Sequence, residues 1–238
     1  MKVWLTVIFI FIILTSGYTK KSYWKNNDTL YPLEKNQKWG FMDYTGKVVI
    51  EPIYMAAKSF SNGLCAVRLK TEKRYHWGYI NRNGKMSITP EYDIAHTFHN
   101  GAAIVFKKGA YHFINKEGLQ IGNHTFNDAR DFDRGFAVVA VNGKWGFINF
   151  EGEFVFEPQF DIVKEFHNGF IRVKRNHYWG FITEKGKFLT KPKFSKVYDF
   201  KNKKARVFFR GVKGYLDQNG KFEECDWIKA LVKPLFRR

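Results

Sequence analysis

The residues that could do chemistry are few and scattered. Seven histidines invite a search for a metal centre, and His96 and His99 form an H-x-x-H pair. No cysteine or carboxylate accompanies that pair at a familiar ligand spacing. His99 also shares its position in a repeated "FHNG" with His167, and Ser61, Asp133 and Lys201 fill the same place elsewhere, as a solvent-facing connector position would allow. Asp128 and Asp131 stand close enough to share acid–base work, as many loop carboxylates do. Cys65 falls in a column otherwise held by Ala103, Ala137, Ile171 and Ala205, which suits a packed thiol better than a nucleophile. No G-x-S-x-G, phosphate loop or dinucleotide fingerprint is present. The expectation is a protein with no catalytic residue, no metal site and no cofactor, and so not an enzyme.

Binding chemistry is better represented. One connector column reads Lys58, His96, Arg130, Lys164 and Tyr198, so stacked units would align basic groups along one rim. Such a row suits spaced anionic groups on a polymer, adding a modest contact per unit. Its neighbours Asp131, Glu165 and Asp199 would partly neutralise it. The formal net charge of +18, from 40 Lys and Arg against 22 Asp and Glu, points the same way. A codon bias toward Lys, Asn, Ile, Phe and Tyr would produce a similar surplus without any partner.

The elements that must position these residues are written as a repeat. "KWGFMDYTGKVVIEPIY" (38–54), "KWGFINFEGEFVFEPQF" (144–160) and "YWGFITEKGKFLTKPKF" (178–194) are near copies. The glycine after tryptophan marks the register at Gly40, Gly78, Gly146 and Gly180, with His112 and Gly214 in the same column; the intervals are 38 and then 34 throughout. The longer interval holds a lengthened loop around "LKTEKRYHW". Six residues on stand Gly46, Gly84, Gly118, Gly152, Gly186 and Gly220, and Pro52, Pro90, Pro158 and Pro192 share a later column that His124 breaks. An aromatic follows every marker, and a further column reads Phe60, Phe98, Phe132, Phe166 and Phe200.

Each unit reads as three strands. "AVVAV" meets "NG", a tight hairpin signal, and "KWGFIN" runs back. A second turn at the spaced glycine leads to "EFVFEP", expected to stop at proline, which cannot donate to a ladder. "LYPLEKNQ" (30–37) supplies the first strand of the first unit, giving six units. Trp39, Trp77, Trp145 and Trp179 are expected to fill the layers between units. A lone unit of this size cannot bury both faces of its sheet, so neighbours must stack.

The "KWGF-(I/M)-(N/D)-x-x-G-K" core, with "EP-x-(F/Y)" and the aromatic step behind it, resembles the bacterial WG-repeat family over about residues 30–225. The resemblance implies all-β tandem repeats, often in exported or surface-associated proteins, without a common activity. The third unit departs from the pattern at Tyr111-His112 and His124. The fold expected is all-β, a tandem array of six three-stranded antiparallel units, with a propeller-like ring favoured over an open β-solenoid. Cys65 lies in the first unit as counted from the glycine marker and Cys225 in the sixth, so a bridge between them would require the ring.

The ends read differently. Residues 1–17, with Lys2, an apolar run from Val3 to Leu14 and Thr15-Ser16-Gly17, have the proportions of a secretory signal peptide. A linker is assigned to 18–29, the repeat domain to 30–225, and a basic amphipathic tail to 226–238. In that tail Trp227, Ile228, Leu231 and Val232 share a helical face that could cap the array or touch a membrane. The function expected is an exported, non-enzymatic binding or scaffold module at the bacterial cell envelope, engaging a protein or an anionic polymer. The alternatives are a carbohydrate-active enzyme or a nucleic-acid binder, and an export signal opposes the latter.

Overall fold

The computed structural model describes residues 29–72 and 74–225. The expected signal peptide, most of the linker and the C-terminal tail lie outside the described residues. Within them the architecture is six small antiparallel sheets in chain order. The first contains Tyr31–Lys35, Lys38–Met42 and Val48–Tyr54. Four others are four-stranded meanders; the fourth sheet, for example, runs Asp128–Ala129, Ala137–Val141, Lys144–Ile148, Phe154–Phe160.

The extra strand corrects the three-stranded expectation. After the aromatic that closes each of the first five units (Tyr54, Tyr92, Phe126, Phe160 and Phe194) the chain does not remain a free connector. Met55, Asp93, Asn127, Asp161 and Ser195 each donate a backbone N–H to the first long strand of the next sheet, at 2.8–3.0 Å. Most of these added strands are two residues long, as in Ala56–Ala57 or Lys196–Val197. Two residues carry no periodicity, so the sequence pattern does not announce them.

The strand before each connector also runs further than expected. Phe154–Phe160 continues through Pro158 and pairs with Lys144–Ile148 across a register shift. Trp145 faces Phe160 and Phe147 faces Phe156, so residues 157–159 arch over the single residue Gly146. Pro158 sits in the arch, where the missing N–H costs the ladder nothing. A Cβ on Gly146 would lie 2.6 Å from the Phe156 carbonyl oxygen and 2.9 Å from the Pro158 nitrogen. Gly40, Gly78 and Gly180 face the same obstruction from Pro52, Pro90 and Pro192. The repeated glycine is therefore required by the proline arch beside it.

The third unit obeys the same logic by omission. It has His112 for glycine and His124 for proline, and its last strand is reduced to the isolated bridges Tyr111–Phe126 and Ile114–Gln120. The hairpin turns follow their sequence signal, with Asn142 and Gly143 at φ 51° and 74°, the left-handed pair that a two-residue hairpin needs.

The buried residues divide into five clusters, each shared by two consecutive sheets. Phe41, Ile50 and Tyr54 of the first sheet meet Cys65, Val67 and Ile80 of the second. Leu64, Ala66 and Tyr79, on the other face of that second sheet, meet Ala95, Phe98 and Val105 of the third. Strand alternation thus gives each inner sheet one face for the neighbour before and one for the neighbour after. The ring that closes a layer is the aromatic after the glycine, not the tryptophan. Phe41, Tyr79, Phe113, Phe147 and Phe181 are no more than 1% exposed, whereas the tryptophans are half-buried. The sixth copy, Tyr215, is 39% exposed. Among the described residues nothing covers that face, and Cys65 and Cys225 are unbridged.

Candidate functional site

The rim column is built by the short connector strands. Lys58, His96, Arg130 and Tyr198 each donate a backbone N–H to a carbonyl of the adjoining long strand, those of Ala66, Ile104, Val138 and Arg206, at 2.9–3.0 Å. Lys164 occupies the same column inside the longer strand Ile162–His167. All five share one backbone position on successive sheets, as the repeat spacing requires.

Their side chains do not form a uniform row. Lys58 and His96 lie together with His99 and Asp131. Burial lowers the Lys58 pKa and the nearby Asp131 carboxylate opposes that shift. Burial likewise lowers the His96 pKa, reinforced by the Lys58 and His99 charges and opposed by Asp131. The shift favours the neutral imidazole. His99 Nε2 stands 3.9 Å from Asp131 Oδ2 and 3.0 Å from Thr97 Oγ1. Asp131, one of the acidic neighbours of the column, thus lies next to Lys58 and His96.

The remaining members are engaged in other ways. Arg130 lies over the Trp145 ring at 4.7 Å and donates from Nη1 to the Val163 carbonyl at 3.0 Å. Lys58 is similarly placed over Trp77, at 5.7 Å. These cations cover the exposed faces of half-buried tryptophans, contacts worth about 0.5–1 kcal/mol at exposed sites. Tyr198 stacks under the Arg206 guanidinium at 3.9 Å, and a hydrogen bond from Lys196, with both cations nearby, lowers its phenol pKa. Arg130 and Lys164 line one cleft between the fourth and fifth sheets, with a volume of about 270 Å³. Its floor is Phe136, Val138, Phe147 and Ile171, and Asp131, Asp133 and Glu165 stand at its edge. The sequence assigns Arg130 and Lys164 to one rim; the apolar cleft that both line has no counterpart in the sequence reading.

The other candidates have structural surroundings. Cys65 is fully buried, donates its thiol to the Lys58 carbonyl at 2.9 Å, and has its pKa pushed up by burial to about 12. Asp128 accepts the Ala129 N–H at 2.8 Å, a local contact within the short strand Asp128–Ala129. Among the described residues no three His, Cys, Asp or Glu side chains converge on a point that could hold a metal ion.

Comparison with known proteins identifies the repeat itself. The family model described as "WG containing repeat" matches five times, over residues 39–70, 77–111, 113–145, 145–177 and 179–211, well over half of the chain. No curated protein matches. Solved structures with a similar course include Kluyveromyces lactis Hsv2, at 8% identity and TM-score 0.38, covering 84% of this chain and 76% of that one. A crystal structure of the eukaryotic initiation factor aligns at 12% identity and TM-score 0.46, covering 83% of this chain and 62% of the other. A protein of unknown function from Bacteroides caccae aligns at 13% identity and TM-score 0.29, covering 80% and 90%. Against the initiation factor this chain spans less than two thirds of the other's length. Scores this low carry no weight for function.

Proposed function

We propose that this chain, which belongs to the family of proteins built from WG-containing repeats, is a non-enzymatic binding or scaffold module of an exported bacterial protein, working at the cell envelope. What carries the reading is the single backbone position shared by Lys58, His96, Arg130 and Tyr198 on four different sheets, with Lys164 in the same column on a fifth. A surface that repeats once per unit suits a partner that also repeats, because each modest contact adds to the next. The surplus of 40 Lys and Arg over 22 Asp and Glu favours an anionic polymer or an acidic protein surface. The apolar run from Val3 to Leu14 after Lys2 supports export.

The ring is the finer arrangement proposed for the complete array, with the first sheet covering the Tyr215 face of the sixth. The test of function is co-sedimentation of residues 18–238 with purified bacterial envelope across a salt series. Binding that weakens steeply with salt is the expected result. Absence of binding at low salt would overturn the reading and assign the charge to composition alone.

A further inference from the structure

Five of the six sheets close their long hairpin in two residues. Lys35 pairs with Lys38, Lys107 with Ala110, Val141 with Lys144, Arg175 with Tyr178 and Phe209 with Val212. The second sheet departs from this. Between its strands Leu64–Thr71 and Arg74–Asn81, Leu69 pairs with His76 in the corresponding place, and the ladder continues through Lys70 opposite Tyr75 and Thr71 opposite Arg74. The lengthened repeat interval is therefore spent on two further strand pairs, which extend the hairpin by roughly 7 Å.

No third strand supports this ribbon. The short strand on one side begins at Ala56, opposite Arg68, and the long strand on the other ends at Tyr92, opposite Trp77. Lys70, Thr71, Arg74 and Tyr75 belong to none of the buried clusters. A two-stranded ribbon is marginal on its own. Its tip is tied by the Thr71 hydroxyl, 3.2 Å from the Arg74 carbonyl oxygen and 2.7 Å from His76 Nδ1.

The two faces of the ribbon differ in charge. Thr71, Arg74 and His76 share one face and line an open groove with Glu72 and Glu91, the latter bound to Lys107 at 2.7 Å. The other face carries Arg68, Lys70 and Tyr75, and neither strand places a carboxylate on it. The Arg68 guanidinium lies over the Tyr75 ring at 5.6 Å, Lys70 stands directly across from it, and the tyrosine is 40% exposed. Arg68 and Lys70 are exposed and, among the described residues, in no ion pair, whereas Lys107 and Lys144 at other hairpins are paired with Glu91 and Asp161.

We propose that this face of the ribbon binds an anionic polysaccharide, with a sugar ring stacked on Tyr75 and the polymer's carboxylate or sulfate groups meeting Arg68 and Lys70. Two unpaired cations around an exposed ring complement a chain of rings that carries negative charge. A membrane contact would need apolar side chains at the tip, where the sequence has Thr71-Glu72-Lys73-Arg74. Single-stranded nucleic acid also offers rings and charges, and the apolar run that supports export weighs against it. The inference rests on the binding reading above and names the polymer's chemistry.

The experiment is calorimetric titration of the full chain with polygalacturonate, with neutral dextran and oligothymidylate as comparisons. A variant in which residues 70–75 are replaced by Asn-Gly takes the turn of the fourth sheet and should fold as that hairpin does. Polygalacturonate should bind saturably and dextran not at all. The shortened variant should bind at least about tenfold more weakly, the scale of losing an anchoring ring with its cations. Tyr75→Ala should weaken binding by about threefold or more at every salt concentration, and Lys70→Gln should flatten the salt dependence. These two carry the test if the shortened hairpin disturbs the sheet. Wild-type affinity in the shortened variant or in both point variants, no binding of polygalacturonate, or tighter binding of oligothymidylate would each overturn the proposal. Sedimentation of the shortened variant with envelope, which leaves Lys58, Arg130 and Lys164 in place, reads the rim separately, so either can fail without the other.

Discussion

Replacing Gly146 with alanine tests why the repeat carries its glycine. The new methyl would meet the Phe156 carbonyl oxygen at 2.6 Å, the Pro158 nitrogen at 2.9 Å and the Glu157 carbonyl carbon at 3.1 Å. All three are backbone atoms, so no rotamer change relieves the contact, and residues 157–159 must lift away from their neighbour. Overpacking of this kind costs about 1–3 kcal/mol, and a rigid backbone obstacle belongs in the upper part of that range. Alanine also narrows the unfolded ensemble, which offsets about 0.4–1 kcal/mol. The net expectation is a loss of about 1–2.5 kcal/mol. With a urea m-value of about 2 kcal/mol/M, the unfolding midpoint should fall by roughly 0.5–1.2 M. Tryptophan fluorescence reads the transition, and an unchanged m-value shows that cooperativity survives. The same substitution with Pro158→His should cost less, because that pair of changes approaches the His112 and His124 of the third unit, where no continuous strand forms. A cost within about 0.5 kcal/mol for Gly146→Ala alone, the range of an uneventful surface change, would refute the arch as the reason for the glycine.

Other consequences follow from the same geometry. Phe181→Ala, at a fully buried ring, should cost about 3–5 kcal/mol; Tyr215 is 39% exposed on the sixth sheet, and the proposed ring would cover it, so Tyr215→Ala should cost a comparable amount, while a loss under about 1 kcal/mol would overturn the ring. In a non-reduced peptide map Cys65 and Cys225 should both appear as free thiols, with Cys65 resisting alkylation until the protein unfolds. A Cys65–Cys225 linkage would instead place the first and last parts of the array side by side. Because the His96 pKa is lowered in the folded state, chiefly by burial, the unfolded chain binds the proton more readily. Stability should therefore fall as the pH drops below about 6.5, the ordinary histidine value. His96→Gln should flatten that part of the pH–stability profile.

The register of the fold was legible because it is carried by backbone requirements that only particular residues meet. The hairpin at Asn142-Gly143 and the marker glycines stand at positions where a side chain or an ordinary φ fails, so their spacing gave the unit length and the number of units. What escaped was carried by hydrogen bonds that any residue can make. The two-residue strands need only a backbone N–H at Met55 or Asn127, and no side-chain pattern reports that. The tryptophans misled for a related reason. Their size suggests the deepest layer, yet they lie beside the arch, and Arg130 or Lys58 covers the face left open. The rim was visible as a column, with acidic neighbours that would partly neutralise it; which sheets those neighbours act across was not, because Asp131 comes near Lys58 only once the sheets are stacked.

Departures from the repeat carry more information than the repeat does. Where the copies agree, they answer to one demand, that each sheet be buried by the next, and they leave no room for a ligand. Two places break the agreement. In the third unit, glycine and proline are lost together, so the change is compensated within the sheet. Its cost is a His112 Nδ1 buried without a hydrogen-bond partner. At the fourth turn, Arg134 stands in a column held by asparagine elsewhere, its guanidinium covers the half-buried Phe166 ring at 4.5 Å, and Phe147 stays buried. Arg134 moreover holds a left-handed backbone at φ 49°, a conformation that asparagine tolerates better than arginine. The substitution thus gives up a favourable turn residue and gains an exposed ion pair with Glu184 of small value together with the contact over Phe166. The two departures therefore differ in kind: the third unit answers one change with a second in its own sheet, whereas the fourth turn answers it with the ring that the new side chain covers.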